Sequence, residues 1–212
     1  MKQIVKIPSR ENPDASIRVI PGHFATNHSH INYYVDMTIM KSRQSEAHAA
    51  AEVLASRFAA THYIDTIITM DGCEVIAAYL AEDLTKAGVL SLNQHKSMYI
   101  VSPEVNQGGQ LLFRDNLQNM VRDRHCLLLV ATATTGHTVE RAIECVNYYG
   151  GMMEGIAAIF SAQKEIGGYP IHSLFSEEDL AGYRTYDFTE CPLCKRDIRI
   201  DAIVNAYGYS KL

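Results

Sequence analysis

The chain has 212 residues, of which 47% are apolar, enough to bury one substantial core and most simply a single domain with small appendages. Its formal charge of −5, from 19 Lys and Arg against 24 Asp and Glu, argues against a nucleic-acid polymer as partner, because neutralising a phosphate backbone needs clustered cations. No apolar run reaches the length of a secretory core or a membrane span, so a cytoplasmic protein with no membrane partner is expected.

Short β-like runs alternate with longer helical stretches, the pattern of an α/β domain with a largely parallel sheet. The spacing predicts a helix over 43–61, where Ala47, Ala50, Ala51, Leu54, Ala55 and Phe58 form one stripe. A strand over 65–70 follows, then a helix over 74–86 closed by Gly88. Next come a strand near 98–102, a Pro/Gly-rich excursion over 103–110 and an apolar strand over 126–131. A helix over 138–149 stops at Gly150-Gly151, and strands over 155–162 and 171–175 complete the sheet. In such sheets ligands sit beyond the carboxyl ends of the strands, so the turns after Met70, Ser102 and Ala131 should share one cleft. The cysteines are five in number and sit mostly in apolar contexts, which suits reduced thiols better than a disulfide framework.

The most informative stretch is Cys126-Leu-Leu-Leu-Val-Ala-Thr-Ala-Thr-Thr-Gly-His-Thr138, which reads as strand, turn and helix. Unpaired N–H groups at a helix start favour an anion, and threonine hydroxyls add donors. Thr132, Ala133, Thr134, Thr135, Gly136, His137 and Thr138 are therefore the candidate binders of a phosphate monoester. A second stretch, Gly22-His-Phe-Ala-Thr-Asn-His-Ser-His-Ile-Asn-Tyr-Tyr-Val-Asp36, carries an aromatic pair on which a flat heterocycle could stack. An ordinary hairpin with its two tyrosines facing opposite sides explains the same spacing, and polar turn formers explain His23, His28 and His30 about as well as a metal site does. A third stretch, Met70-Asp-Gly-Cys-Glu74, sets two carboxylates at the start of a helix, where the dipole also favours them. Cys191-Pro-Leu-Cys194 is half of a tetrahedral zinc site; a reduced structural turn is the alternative, and His172 or a second subunit could complete the ligand set.

Taken in order over 20–212, these stretches resemble the type I phosphoribosyltransferases, and among them the orotate enzymes. The resemblance implies a type I phosphoribosyltransferase fold, with a mostly parallel central sheet flanked by helices and a small N-terminal hood. It divides the chain into a hood with the base-binding segment (1–40), a core (41–180) and a Cys-Pro-x-Cys tail packing on that core (181–212). It implies that Phe24, Asn27, Tyr33 and Tyr34 bind the base and that Asp71, Gly72, Cys73 and Glu74 occupy the pyrophosphate loop. It further implies Mg2+ with 5-phosphoribosyl 1-diphosphate (PRPP), conversion of PRPP and orotate to orotidine monophosphate and pyrophosphate, and a homodimer sharing loops.

The chain departs from the family where the chemistry is done. Val130 and Ala131 stand in place of the two acids that precede Thr-Thr-Gly, so the catalytic residues are not identified. Acids enter the pyrophosphate loop, where like charge repels the leaving group. The excursion Tyr99-Ile-Val-Ser-Pro-Glu-Val-Asn-Gln-Gly-Gly-Gln110 lacks the cations of the mobile catalytic loop, leaving Lys96 and Arg114 outside the motif positions. Two readings follow: an orotate-phosphoribosyltransferase-like enzyme with a divergent site, or a non-catalytic protein that binds a nucleoside monophosphate on the same fold.

Overall fold

The computed structural model describes residues 3–86 and 90–212; Gly88, the expected helix stop, lies outside them. Strands β1 (Val5–Pro8), β2 (Ser16–Ala25) and β3 (His30–Asp36) open the chain, followed by helices α1 (Thr38–Ser42) and α2 (Gln44–Phe58). The centre of the chain forms β4 (Thr66–Thr69), α3 (Glu74–Thr85), β5 (Tyr99–Val101), a ribbon of β6 (Glu104–Val105) and β7 (Leu111–Leu112), and the short helix α4 (Asp115–Gln118). Then come β8 (His125–Ala133), α5 (His137–Tyr148), β9 (Met152–Ser161), β10 (Glu165–Ile166) and β11 (Tyr169–Ser176), before β12 (Thr185–Tyr186), β13 (Ala202–Asn205) and β14 (Gly208–Lys211).

The central sheet runs β10-β11-β9-β8-β4-β5; every pair from β11 to β5 is parallel, and only β10 is antiparallel. β8 lies in the middle and reads as a continuous apolar run because both of its faces are buried. Side chains alternate across a strand. Leu127, Leu129 and Ala131 therefore join the core beneath α2 and α3, while Cys126, Leu128 and Val130 join the core beneath α5. The alanine stripe of α2 gives a low surface that lets α3 approach closely, and Phe58 closes it over Gly155, where a Cβ would lie 3.1 Å from the ring.

A second sheet, the hood, runs β12-β3-β2-β13-β14, with β1 also paired to β2. The tail over 181–212 contributes strands to this sheet: β12 pairs with β3, and β13 runs parallel to β2, joining Ala202 to Phe24 and Ile203 to Ala25. The edge of β2 presents unpaired N–H and C=O groups, and an extended tail satisfies them. No helix among the described residues is long and apolar enough to cross a membrane.

Candidate functional site

One cavity of about 310 Å³ opens at the carboxyl ends of β4 and β8, between the central sheet and the hood. Its floor is the β8–α5 turn. Gly136 takes φ +92°, a left-handed conformation that admits glycine without strain, and starts the twelve-residue helix α5. A Cβ there would lie 3.3 Å from Ile166. The carbonyl of Ala133 accepts from the Ala162 N–H at 2.9 Å, and that of Thr134 accepts from the Gln163 amide at 3.0 Å, so the turn is braced from the β9–β10 side. Thr132, Ala133, Thr134, Thr135, Gly136 and Thr138 all line the cavity. His137 does not; its ring packs edge-on against His28 with centroids 5.5 Å apart.

The two positions before the turn diverge with the strand alternation. Val130 is wholly buried on the α5 side, whereas Ala131 faces the cavity. Above Ala131 lies Asp71, in the left-handed region at φ +62°, with its carboxylate accepting the Ala131 N–H at 3.3 Å. Burial pushes the Asp71 carboxyl above the usual carboxylate range, against the lowering effect of the Ala131 N–H and of Lys41. Gly72, at φ +76°, completes the turn, and Cys73 is buried beneath α3 with its thiol pushed up by burial. Glu74 turns away: it accepts from the Ser102 hydroxyl at 2.9 Å and is not part of the cavity wall. The turns after Met70 and Ala131 thus share the cleft, while Ser102 stays outside, tied to Thr69 and Glu74.

Lys41, at the end of α1, is the lysine of the cavity wall and had no motif to mark it. Its ammonium donates to the carbonyls of Asp71 at 2.7 Å and Ala206 at 2.5 Å, joining the core loop to the tail. The hood supplies the aromatic wall. Asn27, Tyr33 and Tyr34 line the cavity, and Tyr34 packs edge-on against Tyr209; burial holds its hydroxyl up at about 12. Phe24 lies in the core instead, 1% exposed and tilted against Tyr34. Tyr207, in the β13–β14 turn and 79% exposed, stands at the mouth of the cavity. Its sequence neighbourhood, a lone aromatic in a short turn near the chain end, carries no periodic signal.

Neither cation flanking the excursion reaches the cavity. The excursion folds as the β6–β7 ribbon, where Arg114 makes two hydrogen bonds of 2.7 Å to Glu104, and Lys96 sits over the ring of Tyr63. The Cys pair has different company from that expected: His172 packs against Phe58 and His62 on the far side of the core, whereas Cys191 and Cys194 face His23 and His30. The remaining thiols, Cys73, Cys126 and Cys145, are buried and unpaired, as expected of reduced cysteines. Burial raises the Cys126 thiol to about 12 and the Cys145 thiol to about 11.

No family model matches the chain, and no curated protein matches its sequence. Solved structures do match its fold. An orotate phosphoribosyltransferase from Aeropyrum pernix superposes with a TM-score of 0.52 at 18% identity, covering 76% of this chain and 90% of that one. An orotate phosphoribosyltransferase from Mycobacterium tuberculosis H37Rv, solved in complex with 5-phospho-alpha-D-ribosyl 1-diphosphate, gives 0.52 at 15% identity, covering 70% and 83%. UMP synthase of Leishmania donovani gives 0.55 at 14% identity; the match covers 76% of this chain and 34% of that longer one. The chain has the α/β fold of the type I phosphoribosyltransferases.

Proposed function

We propose that this chain is an orotate-phosphoribosyltransferase-like protein whose cavity binds a nucleoside 5′-monophosphate or a related phosphorylated ribose. The observation that carries this reading is the shared cavity: the Thr132–Gly136 turn at the start of α5 and the tyrosines of the hood face one another across it. The N-terminal N–H groups of a twelve-residue helix and the hydroxyls of Thr134, Thr135 and Thr138 suit a phosphate dianion. Tyr33, Tyr34 and Tyr207, in the wall of the same cavity, suit a planar base. Binding is favoured over efficient turnover, because the β8 acids that would accept from the ribose hydroxyls and the excursion cations that would stabilise departing pyrophosphate are both missing.

Phosphoribosyl transfer is the second reading, and Asp71 favours it. Its carboxylate reaches over Ala131 and supplies an acceptor for ribose hydroxyls where the strand itself has none. Asp71 is also the carboxylate of the cavity wall, so a magnesium ion would be held by Asp71, water and the phosphates of the ligand. Bound there, it would neutralise phosphate charge. Calorimetry of the purified protein against PRPP with magnesium, orotidine monophosphate and other nucleoside monophosphates tests both readings, followed by a turnover assay on whatever binds. Saturable binding of a 5′-phosphorylated nucleoside is expected; failure to bind any phosphorylated ribose would overturn the proposal.

A further inference from the structure

We propose that His23, His30, Cys191 and Cys194 bind one zinc ion that fastens the C-terminal tail to the hood, whatever ligand the cavity takes. The four donor atoms lie within 4.8 Å of one another. His23 Nε2 is 3.1 Å from His30 Nδ1, 3.5 Å from Cys191 Sγ and 3.7 Å from Cys194 Sγ, and His30 Nδ1 is 3.3 Å from Cys194 Sγ. With Zn–N about 2.0–2.1 Å and Zn–S about 2.3 Å, a tetrahedron has edges of about 3.3 Å between nitrogens and about 3.6 Å between nitrogen and sulfur. These four spacings lie within about 0.3 Å of the edges of a tetrahedral Cys2His2 set.

Hydrogen bonding alone does not account for the cluster. His23 Nδ1 lies 2.8 Å from the Ile198 carbonyl, which only accepts, so Nδ1 carries the proton and Nε2 presents a lone pair. Three groups converge on that one lone pair, two of them thiols, which are weak donors. A cation at the centre satisfies all four at once. The Ile198 contact then acts as the outer-sphere partner that sets the tautomer and ring orientation of a ligating histidine. Two thiolates balance the charge of a divalent ion, and the soft sulfur and imidazole set with tetrahedral spacing selects zinc.

The local backbone is shaped for this arrangement. The β2–β3 register shifts between Pro21 and Phe24, a bulge that turns His23 out of the strand alternation. The His23 N–H donates to Asp201 Oδ2 at 2.8 Å, and the Asp201 N–H donates to the His23 carbonyl at 2.7 Å. Glycine at position 22 leaves room for this exchange, since a Cβ there would come within 2.6 Å of the Asp201 carboxylate and displace it. On the other side, Cys194–Arg196 forms a 3-10 turn closed by Asp197 at φ +54°, which returns the chain to Ile198. Beyond it β13 meets β2 over only two residue pairs before Val204, Asn205, Ala206 and Tyr207 enter the cavity wall. The ion would hold the root of that segment.

The test is metal analysis of the full-length, tag-free protein, with cobalt substitution. Zinc near one equivalent per chain is expected, and cobalt(II) exchange should produce the intense visible bands and near-ultraviolet thiolate charge transfer of a tetrahedral S2N2 site. Cys194→Ser should lose the metal and Cys145→Ser should keep it, and chelation should lower the melting temperature of the wild type and Cys145→Ser alike. Should Cys194→Ser fail to fold, the cobalt spectrum of the wild type still decides. Protein that purifies without metal and takes up no tetrahedral cobalt, a Cys191–Cys194 disulfide in the intact mass, or full metal content in Cys194→Ser would each overturn the proposal.

Discussion

The carboxylate of Asp71 accepts the backbone N–H of Ala131 at 3.3 Å, tying the β4–α3 loop to the end of the central strand. At that point the strand has an alanine side chain and a neighbouring loop supplies the acid. Lys41 holds the same loop from the hood side through the Asp71 carbonyl. Among the described residues, Asp71 is the carboxylate of the cavity wall, placed by a left-handed turn, and its charge state depends on how deeply that turn is buried.

Asp71→Asn should stabilise the protein and weaken its ligand. Burial raises the Asp71 carboxyl in the folded chain, so the folded state keeps its proton to higher pH than the unfolded one. The associated stability is present below the unfolded carboxyl range and is lost as pH rises through the folded value. Asparagine tolerates the left-handed conformation and still accepts the Ala131 N–H. Thermal melts should place the variant a few degrees above wild type near pH 7, with the gap closing toward pH 4. A wild-type protein that gains stability relative to the variant as pH rises would contradict this.

Thr135→Val with Gly136→Ala should abolish nucleotide binding. Alanine at φ +92° is strained by about 1–2 kcal/mol and meets Ile166, and valine removes a donor from the turn. Calorimetry with a nucleoside monophosphate, on protein shown by circular dichroism to be folded, measures the effect. Undiminished affinity would remove the phosphate assignment.

Restoring the acids of the family motif should fail for a reason in the packing. Val130 is wholly buried among the side chains beneath α5, and a glutamate there strands a charge in an apolar core at a cost of several kcal/mol. Val130→Glu with Ala131→Asp should therefore unfold at lower denaturant than wild type. Ala131→Asp alone faces the cavity and should strengthen magnesium-dependent PRPP binding while leaving orotate turnover low, since groups that act as a unit recover little singly. A large rate gain from Ala131→Asp would show that the losses are not concerted.

Tyr207→Ala should separate base recognition from phosphate recognition. The ring is mostly exposed, so melting should change little. Loss of a stacking face should weaken nucleoside monophosphate binding by about 0.5–1.5 kcal/mol, with affinity for ribose 5-phosphate unchanged. Equal losses for both ligands would assign Tyr207 a role in holding the tail.

Much of the architecture follows from local pattern. The alanine stripe of α2, the unbroken apolar run of β8 and the strand-turn-helix ending in Gly136 define the central sheet because period and burial are written in contiguous residues. Predicted boundaries of these elements fall within three residues of the observed ones. The turn as a helix start is legible for the same reason. β1 and β12–β14 are short and half-exposed, and their strand character comes from the edges they pair with, so periodicity does not mark them.

Sequence by itself determined the class of the core, the strand-turn-helix at Gly136 and the absence of acids at Val130 and Ala131, all properties of residues adjacent in the chain. Tertiary structure alone decided that Asp71 faces the cavity while Glu74 turns to Ser102, that Lys41 and Tyr207 belong to the wall, and that His23 and His30, not His172, meet Cys191 and Cys194. Each of these depends on contacts between segments far apart in sequence. A bulge at Gly22, a left-handed turn at Asp71 and a tail strand pairing with β2 set the directions of side chains that local spacing leaves free.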